Sequence, residues 1–223
     1  AWSGREEPAK APEQQAWSGT EDFGGAEGAA GLHDNWDDPD GYYRVMLGEK
    51  LQQRYQIFAI LGRGIFATVV RARDLQQNGR EVAIKIARRQ ETMYKAGMKE
   101  ISILQRLSEA DPDNKMFIVH FFTHFEHRGH LCMVFESLGL NLREIVKRFG
   151  KDVGLNLQAV KTYTKQMLLA LALLREKQFV HADIKPDNIL VNEAKTIAKL
   201  ADFGSASTAS EMEITPYLVS RFY

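Results

Sequence analysis

His181-Ala182-Asp183-Ile184-Lys185-Pro186-Asp187-Asn188 is followed, fourteen residues after Asn188, by Asp202-Phe203-Gly204. Between these two polar clusters lie Ile189-Leu190-Val191 and the apolar run 198–201, which read as two short strands of a hairpin. A hairpin of that length brings both of its ends to one place. The ends carry three carboxylates, an ammonium and an amide. Moving a phosphoryl group to a hydroxyl needs a carboxylate to position the hydroxyl, a cation to neutralise the charge in transfer, and oxygen ligands for a magnesium ion. Asp183, Lys185, Asn188 and Asp202 supply that set.

Working outward, Val82-Ala83-Ile84-Lys85 places a lysine in an apolar strand, a costly site for an ammonium unless an anion meets it. Phosphates are one such anion, and Glu100, on the following helical stretch, is placed to orient the lysine by ion pairing. Taken singly, each residue is open to a plainer reading, Lys85 as an edge-strand charge and Glu100 as a solvated helix position. Twenty-one residues before Lys85 is Gly64, within Leu61-Gly62-Arg63-Gly64-Ile65-Phe66-Ala67-Thr68-Val69, between two expected strands. Glycines there let a backbone close over phosphates without a side chain in the way. A glycine-rich hairpin turn with no ligand is an equal alternative for this segment alone, and Ala67 stands where such loops carry a third glycine.

The rest of the chain divides by texture. The sequence has 223 residues, 44% of them hydrophobic, and a formal net charge of zero. That zero hides an asymmetry: residues 1–41 hold ten acidic residues against Arg5 and Lys10, so the remaining chain is correspondingly basic. Residues 1–32, rich in Gly, Ala, Glu, Pro and Gln, are expected to be a disordered acidic arm. In it Ala-Trp-Ser-Gly occurs at positions 1–4 and 16–19, either a short binding motif or low-complexity drift. Residues 33–54 are expected to form an extension with an extra strand at 42–47, and residues 55–223 one catalytic domain. Strands are expected at 55–61, 68–73, 81–87, 117–125 and 130–136, and helices at 91–108, 142–149 and 157–177. Met98, Ile101, Leu104 and Leu107 mark the buried face of the first helix. Val160, Tyr163, Met167, Leu168, Leu171 and Leu174 give the long helix a stripe wide enough to demand burial on more than one side. The longest apolar run, 167–174, is too short to cross a bilayer, and no membrane association is expected. The single cysteine, Cys132, lies in an apolar run as a small hydrophobe, which suits a reducing compartment. The basic body lacks the interleaved aromatic and basic stripe of a nucleic-acid binder, so no direct nucleic-acid contact is expected.

From Tyr55 to Tyr223 the four motifs, in this order, resemble the protein kinase family, an α+β bilobal fold with a β-rich N-lobe (55–136) and an α-rich C-lobe (137–223). The resemblance implies ATP and Mg2+ as cofactors. It implies Lys85 on the nonterminal phosphates with Glu100 holding it, Asp183 as catalytic base, Lys185 on the terminal phosphate, and Asn188 and Asp202 as metal ligands. It further implies that Val69, Ala83 and Leu190 enclose the adenine, that Glu136 to Leu138 present hinge backbone groups with Phe135 behind them, and that Leu104, Phe121, His181 and Phe203 stack between the lobes. Lys-Pro-Asp-Asn after Asp183 resembles the serine/threonine class.

Ile214 to Tyr223 resembles the activation segment of the dual-specificity tyrosine-regulated and Cdc-like group. Asp34-Asn35-Trp36, Gly41-Tyr42-Tyr43-Arg44-Val45 and Asp202 to Ser207 are similar to the spliceosome-associated pre-mRNA-processing kinases within it. That likeness implies a monomeric nuclear enzyme with arginine/serine-rich splicing factors as protein substrates. The competing reading is a pseudokinase scaffold that keeps the fold without turnover. Two features depart from the family pattern. Ala182 replaces an arginine that reads activation-segment phosphates, so phosphorylated Tyr217 is expected to pair with Arg221 instead. The Ala-Pro-Glu element and the helices beyond it are not in the sequence, so this stretch by itself is expected to be inactive or prone to aggregate.

Overall fold

Alternation along the central strands sets the architecture. In the computed structural model, which describes residues 36–151 and 153–211, strands β1 (Lys50–Leu51), β2 (Tyr55–Arg63), β3 (Ala67–Asp74), β4 (Arg80–Ala87), β5 (Phe121–His127) and β6 (His130–Glu136) form one antiparallel sheet. Their order is β1-β2-β3-β4-β6-β5. Val82, Ile84 and Ile86 of β4, with Cys132 and Val134 of β6, face one core together with Tyr55, Ile57, Val70 and Ala72. The alternate residues Leu131, Met133 and Phe135 face the other core, the one shared with the helices. Period-2 geometry therefore turns Lys85, between Ile84 and Ile86, toward the helix side. Tight turns fix the register: Asn78-Gly79 ends the β3–β4 connection and Arg128-Gly129 alone joins β5 to β6, each with positive φ at both residues.

Helix α1 (Glu91–Ala110) crosses beside this sheet, burying Gly97, Glu100, Ile101, Leu104 and Leu107 at helical spacing. A Cβ at Gly97 would stand 2.6 Å from Leu131 Cδ2, so glycine lets the helix sit this close to β6. Met98, expected on the buried face, is 37% exposed; the stripe runs through Gly97 instead.

The second lobe begins with α2 (Leu142–Phe149), started by an Asn141–Glu144 capping box, and continues with α3 (Leu157–Glu176), whose N-cap Asn156 accepts from the Ala159 N–H. Strands β7 (Phe179–Val180), β8 (Ile189–Val191), β9 (Ala198–Leu200) and β10 (Ser207–Thr208) form two small hairpin-like pairs, β8 with β9 and β7 with β10. Tyr163, Gln166, Ala170, Leu173 and Leu174 of α3 are buried. Of the apolar stripe expected to need cover on two sides, Val160, Leu168 and Leu171 remain open to solvent. Among the described residues no helix is long and apolar enough to cross a membrane.

Two expected strands are corrected. Residues 42–47 are not a strand: Asp38 Oδ1 accepts the Asp40 and Tyr42 N–H groups, Gly41 turns at φ 81°, and the segment makes only an isolated Asp37–Tyr43 bridge. The extra strand of the extension is β1. Residues 117–120 do not belong to β5, because Phe117 adopts φ 56° and the chain pairs across to β9, the Leu200 N–H donating to the Phe117 carbonyl and the Val119 N–H to that of Leu200.

Candidate functional site

Lys85 Nζ lies 2.9 and 2.8 Å from the two carboxylate oxygens of Glu100 and 2.9 Å from Asp202 Oδ1. Strand β4, helix α1 and the segment after β9 each supply one member, so the triad exists only if all three elements pack. Burial alone would depress the lysine pKa, but the Glu100 and Asp202 carboxylates outweigh it and hold the ammonium above its ordinary range. For Asp202, partial burial raises the carboxyl while Lys85 lowers it more, and the net shift is downward. Lys85 is thus charged and aimed, and Asp202 ionised, across the neutral pH range.

A second cluster is local in sequence. Asp183 Oδ2 accepts from Lys185 Nζ at 2.7 Å and from Asn188 Nδ2 at 3.0 Å, and the Asn188 amide also donates to the Asp183 carbonyl at 2.9 Å. Pro186–Asn188 form a 3-10 turn, which brings Asn188 back under Asp183. Arg143 of α2 grips Asp187 with two parallel bonds of 2.8 and 2.9 Å. The hairpin that follows is fixed from α3: the Gln166 amide donates to the Thr196 carbonyl and accepts from the Ala198 N–H, and the Tyr163 hydroxyl donates to the Lys195 carbonyl.

The two clusters are joined through backbone. The Ala201 N–H donates to the Asn188 carbonyl at 2.8 Å, and the Ala201 carbonyl lies 3.0 Å from His181 Nε2. His181 Nδ1 in turn accepts the Asp183 N–H at 3.3 Å. A carbonyl only accepts and an amide N–H only donates, so the histidine is the neutral Nε2–H tautomer. Burial pushes its pKa down, partly offset by the bond to the Ala201 carbonyl. It is edge-packed on Phe203 at 4.8 Å between ring centres, with Leu104 and Phe121 buried in the same core. Asp202 itself sits at φ 61°, and Ala182 at φ 63°. Two non-glycine residues held in the left-handed region at the two ends of one site mark backbone that the surroundings over-determine.

The remaining expected positions lie on the β2–β3 hairpin, β4, the end of β6 with the residues after it, and β8. Gly62 and Arg63 pair with Val69 and Thr68, while Gly64 donates its N–H to the Ala67 carbonyl; Leu61, Ile65 and Phe66 are exposed. A Cβ on Gly62 would meet nothing within 4 Å, so nothing in the chain itself requires glycine there. Ala67 is buried and keeps a negative φ, so the missing third glycine costs no strain. Val69, Ala83 and Leu190 are half-buried, and Val69 and Lys85 face each other across β3 and β4. The Leu138 carbonyl accepts from Arg71 Nη2 at 3.0 Å. The Glu136 carboxylate accepts from buried Lys199 at 2.6 Å and from the His120 N–H at 2.6 Å, tying the end of β6 to β9. Arg71, Lys199 and Tyr42 were not legible as site neighbours, since their contacts link residues more than twenty positions apart. Tyr217 and Arg221 lie outside the described residues, as does the acidic arm.

The donor chemistry fits a nucleotide-bound divalent ion. Asp202 offers a carboxylate and Asn188 an amide oxygen on adjoining segments, and among the described residues there is no cluster of three or more His, Cys, Asp or Glu that would hold a metal unaided. Magnesium is commonly held by one or two protein oxygens, with phosphate and water completing its shell. The antiparallel sheet, the crossing helix bonded to a strand lysine, and a polar loop joined to an Asp-Phe-Gly turn are the parts of a protein kinase domain. The chain belongs to the protein kinase family, whose domain model matches residues 55–223. It is 57% identical over 194 residues to the serine/threonine-protein kinase prp4 of Schizosaccharomyces pombe, covering 87% of this chain and 40% of that protein. It is 50% identical to the serine/threonine-protein kinase prpf4B of Dictyostelium discoideum, covering 86% of this chain and 24% of that one. The DYRK-family kinase pom1 of S. pombe is 39% identical over 189 residues. The chain thus spans less than half the length of the curated relatives it matches.

Proposed function

We propose that the protein of which this chain forms part is an ATP-dependent serine/threonine protein kinase, with Lys85, Asp183, Lys185, Asn188 and Asp202 as its reacting set. The single observation that carries this reading is the bonded path from Lys85 through Asp202 and Ala201 to Asn188 and Asp183. Lys85, oriented by Glu100, binds the nonterminal phosphates. Asn188 and Asp202 would hold a magnesium ion, which when bound would neutralise charge on the phosphates. Asp183 orients the incoming serine or threonine hydroxyl and accepts its proton at the carboxylate. Lys185, 2.7 Å from that carboxylate, holds its charge against the terminal phosphate. The neutral His181 fixes the Asp183 backbone and takes no proton.

Leu61 to Val69, with Ala83 and Leu190, enclose the nucleotide, and the backbone of Glu136 to Leu138 receives the adenine edge. Protein substrates rich in arginine and serine, splicing factors among them, and a nuclear setting follow from the likeness to pre-mRNA-processing kinases. The test is transfer of radiolabelled phosphate from ATP to arginine/serine-rich peptides by the full-length protein. Lys85→Met and Asp183→Asn are expected to abolish it. A wild-type protein that binds Mg-ATP but transfers no phosphate would establish the scaffold reading instead.

A further inference from the structure

The segment Trp36 to Arg44, quoted above only for its resemblance, lies across the tip of the glycine-rich loop. The Tyr42 hydroxyl is 2.9 Å from the Gly64 carbonyl and 2.9 Å from that of Ile65, so its one proton is shared between them. Its ring is buried, with the Arg63 guanidinium 3.7 Å and that of Arg88 4.6 Å from its centre. Arg88 also donates to the Asp40 and Ile65 carbonyls, while Arg63 pairs with Asp38. Gly41 holds the turn that aims Tyr42: its φ is 81°, its carbonyl accepts the Arg89 N–H at 2.8 Å, and a Cβ would stand 3.4 Å from the Arg89 carbonyl oxygen.

We infer that Trp36 to Arg44 is a strap and that Tyr42 is a positioning residue for the nucleotide phosphates. The reason is peptide geometry. All described peptide bonds are trans, and in a trans unit the C=O and the following N–H point opposite ways. By holding the Gly64 and Ile65 carbonyls, Tyr42 directs the N–H groups of Ile65 and Phe66 to the other side of the loop. It also turns two carbonyl oxygens away from any anion bound there. Ile65 and Phe66 are 73% and 59% exposed, so their side chains do not order this tip, and besides Tyr42 it is held by Arg88 on the Ile65 and Phe66 carbonyls and by the Gly64 N–H on that of Ala67. A loop set in advance for an anion loses less conformational freedom when the anion arrives. This inference rests on the reading of Leu61 to Val69 as the phosphate-covering loop.

Tyr42→Phe deletes the hydroxyl and keeps the ring between the two arginines. In the full-length protein it is expected to raise the Kd for the magnesium complex of a fluorescent ATP analogue, and the KM for ATP, about three- to tenfold. Amide hydrogen exchange is expected to rise at Gly64 and Arg88, whose N–H groups donate to the Ala67 and Phe66 carbonyls at the tip, and to stay unchanged in β4 and α1. Tyr94→Phe, which removes a hydroxyl bond to Glu126 elsewhere in the same lobe, is the control. An unchanged Kd with unchanged exchange at the tip would overturn the inference. So would a general rise in exchange across the lobe, which would make Tyr42 a stability residue only. Because nucleotide binding is read directly, a protein that binds ATP without turning it over fails the kinase reading while the strap is still decided.

Discussion

The two halves of the site are built differently. The Asp183, Lys185 and Asn188 cluster closes within five residues, its geometry supplied by one 3-10 turn after a proline. The Lys85, Glu100 and Asp202 triad joins positions 15 and 117 residues apart, on a strand, a helix and a post-strand turn. A local cluster pays its ordering cost once, within a single loop, whereas the distant triad is held only by the packing together of β4, α1 and the segment after β9. The first is therefore sensitive to chemistry at its own atoms, and the second to anything that moves the helix.

The sharpest test of the local cluster is Asp183→Asn, which leaves the shape and the Asn188 bonds in reach but removes the proposed proton acceptor. Phosphotransfer is expected to fall at least ~1,000-fold at unchanged urea midpoint, measured by peptide phosphorylation and chemical denaturation. Lys85→Met should differ in stability. It strands the carboxylate of Glu100, only 4% exposed, without its cation, so both activity and stability are lost, the latter by roughly 3 kcal/mol in denaturant titration. An Asp183→Asn protein as destabilised as Lys85→Met would break the contrast.

Gly97→Ala probes the triad without touching a charge. Its added methyl meets the Leu131 Cδ2, so either that buried side chain turns or α1 shifts off β6, at an expected loss of about 1–3 kcal/mol. Activity should fall along with it as Glu100 withdraws from Lys85. A variant of full activity and stability would show that the helix position is not set there.

The smallest effect is in pH. His181 titrates below its ordinary value in the folded chain because burial disfavours the imidazolium. As pH falls below about 6.5, the unfolded chain takes up this proton first, so His181 lowers stability progressively toward acid and has no effect above neutrality. Comparing thermal midpoints between pH 7.5 and 5.5, the His181→Phe form is expected to lose up to about 1 kcal/mol less per pH unit.

Much of this was legible because it is periodic or contiguous. Strand β6 and helix α2 fall at their expected bounds, since alternation in one and the Asn141 cap in the other are carried by adjacent residues. Residues 42–47 misled for the converse reason. Tyr42, Tyr43 and Val45 look like strand residues, but Asp38 captures the local N–H groups and Tyr42 is spent on a loop twenty-two residues away. Likewise 117–120 is apolar and β-branched enough for β5, yet its partner is β9. Met98 has the hydrophobicity for the α1 stripe, but Gly97 has the size that the contact demands.

By itself, the sequence determined the family motifs and the order in which they come, because motif spacing and hydropathy period are properties of the covalent chain. Only the tertiary structure decided that Lys85 has two carboxylate partners, that His181 is neutral, and that Tyr42 reaches the glycine-rich loop. Each of those depends on distances between segments far apart in the chain, which are fixed by packing and hydrogen-bond satisfaction across the whole core and are written in no single stretch of it.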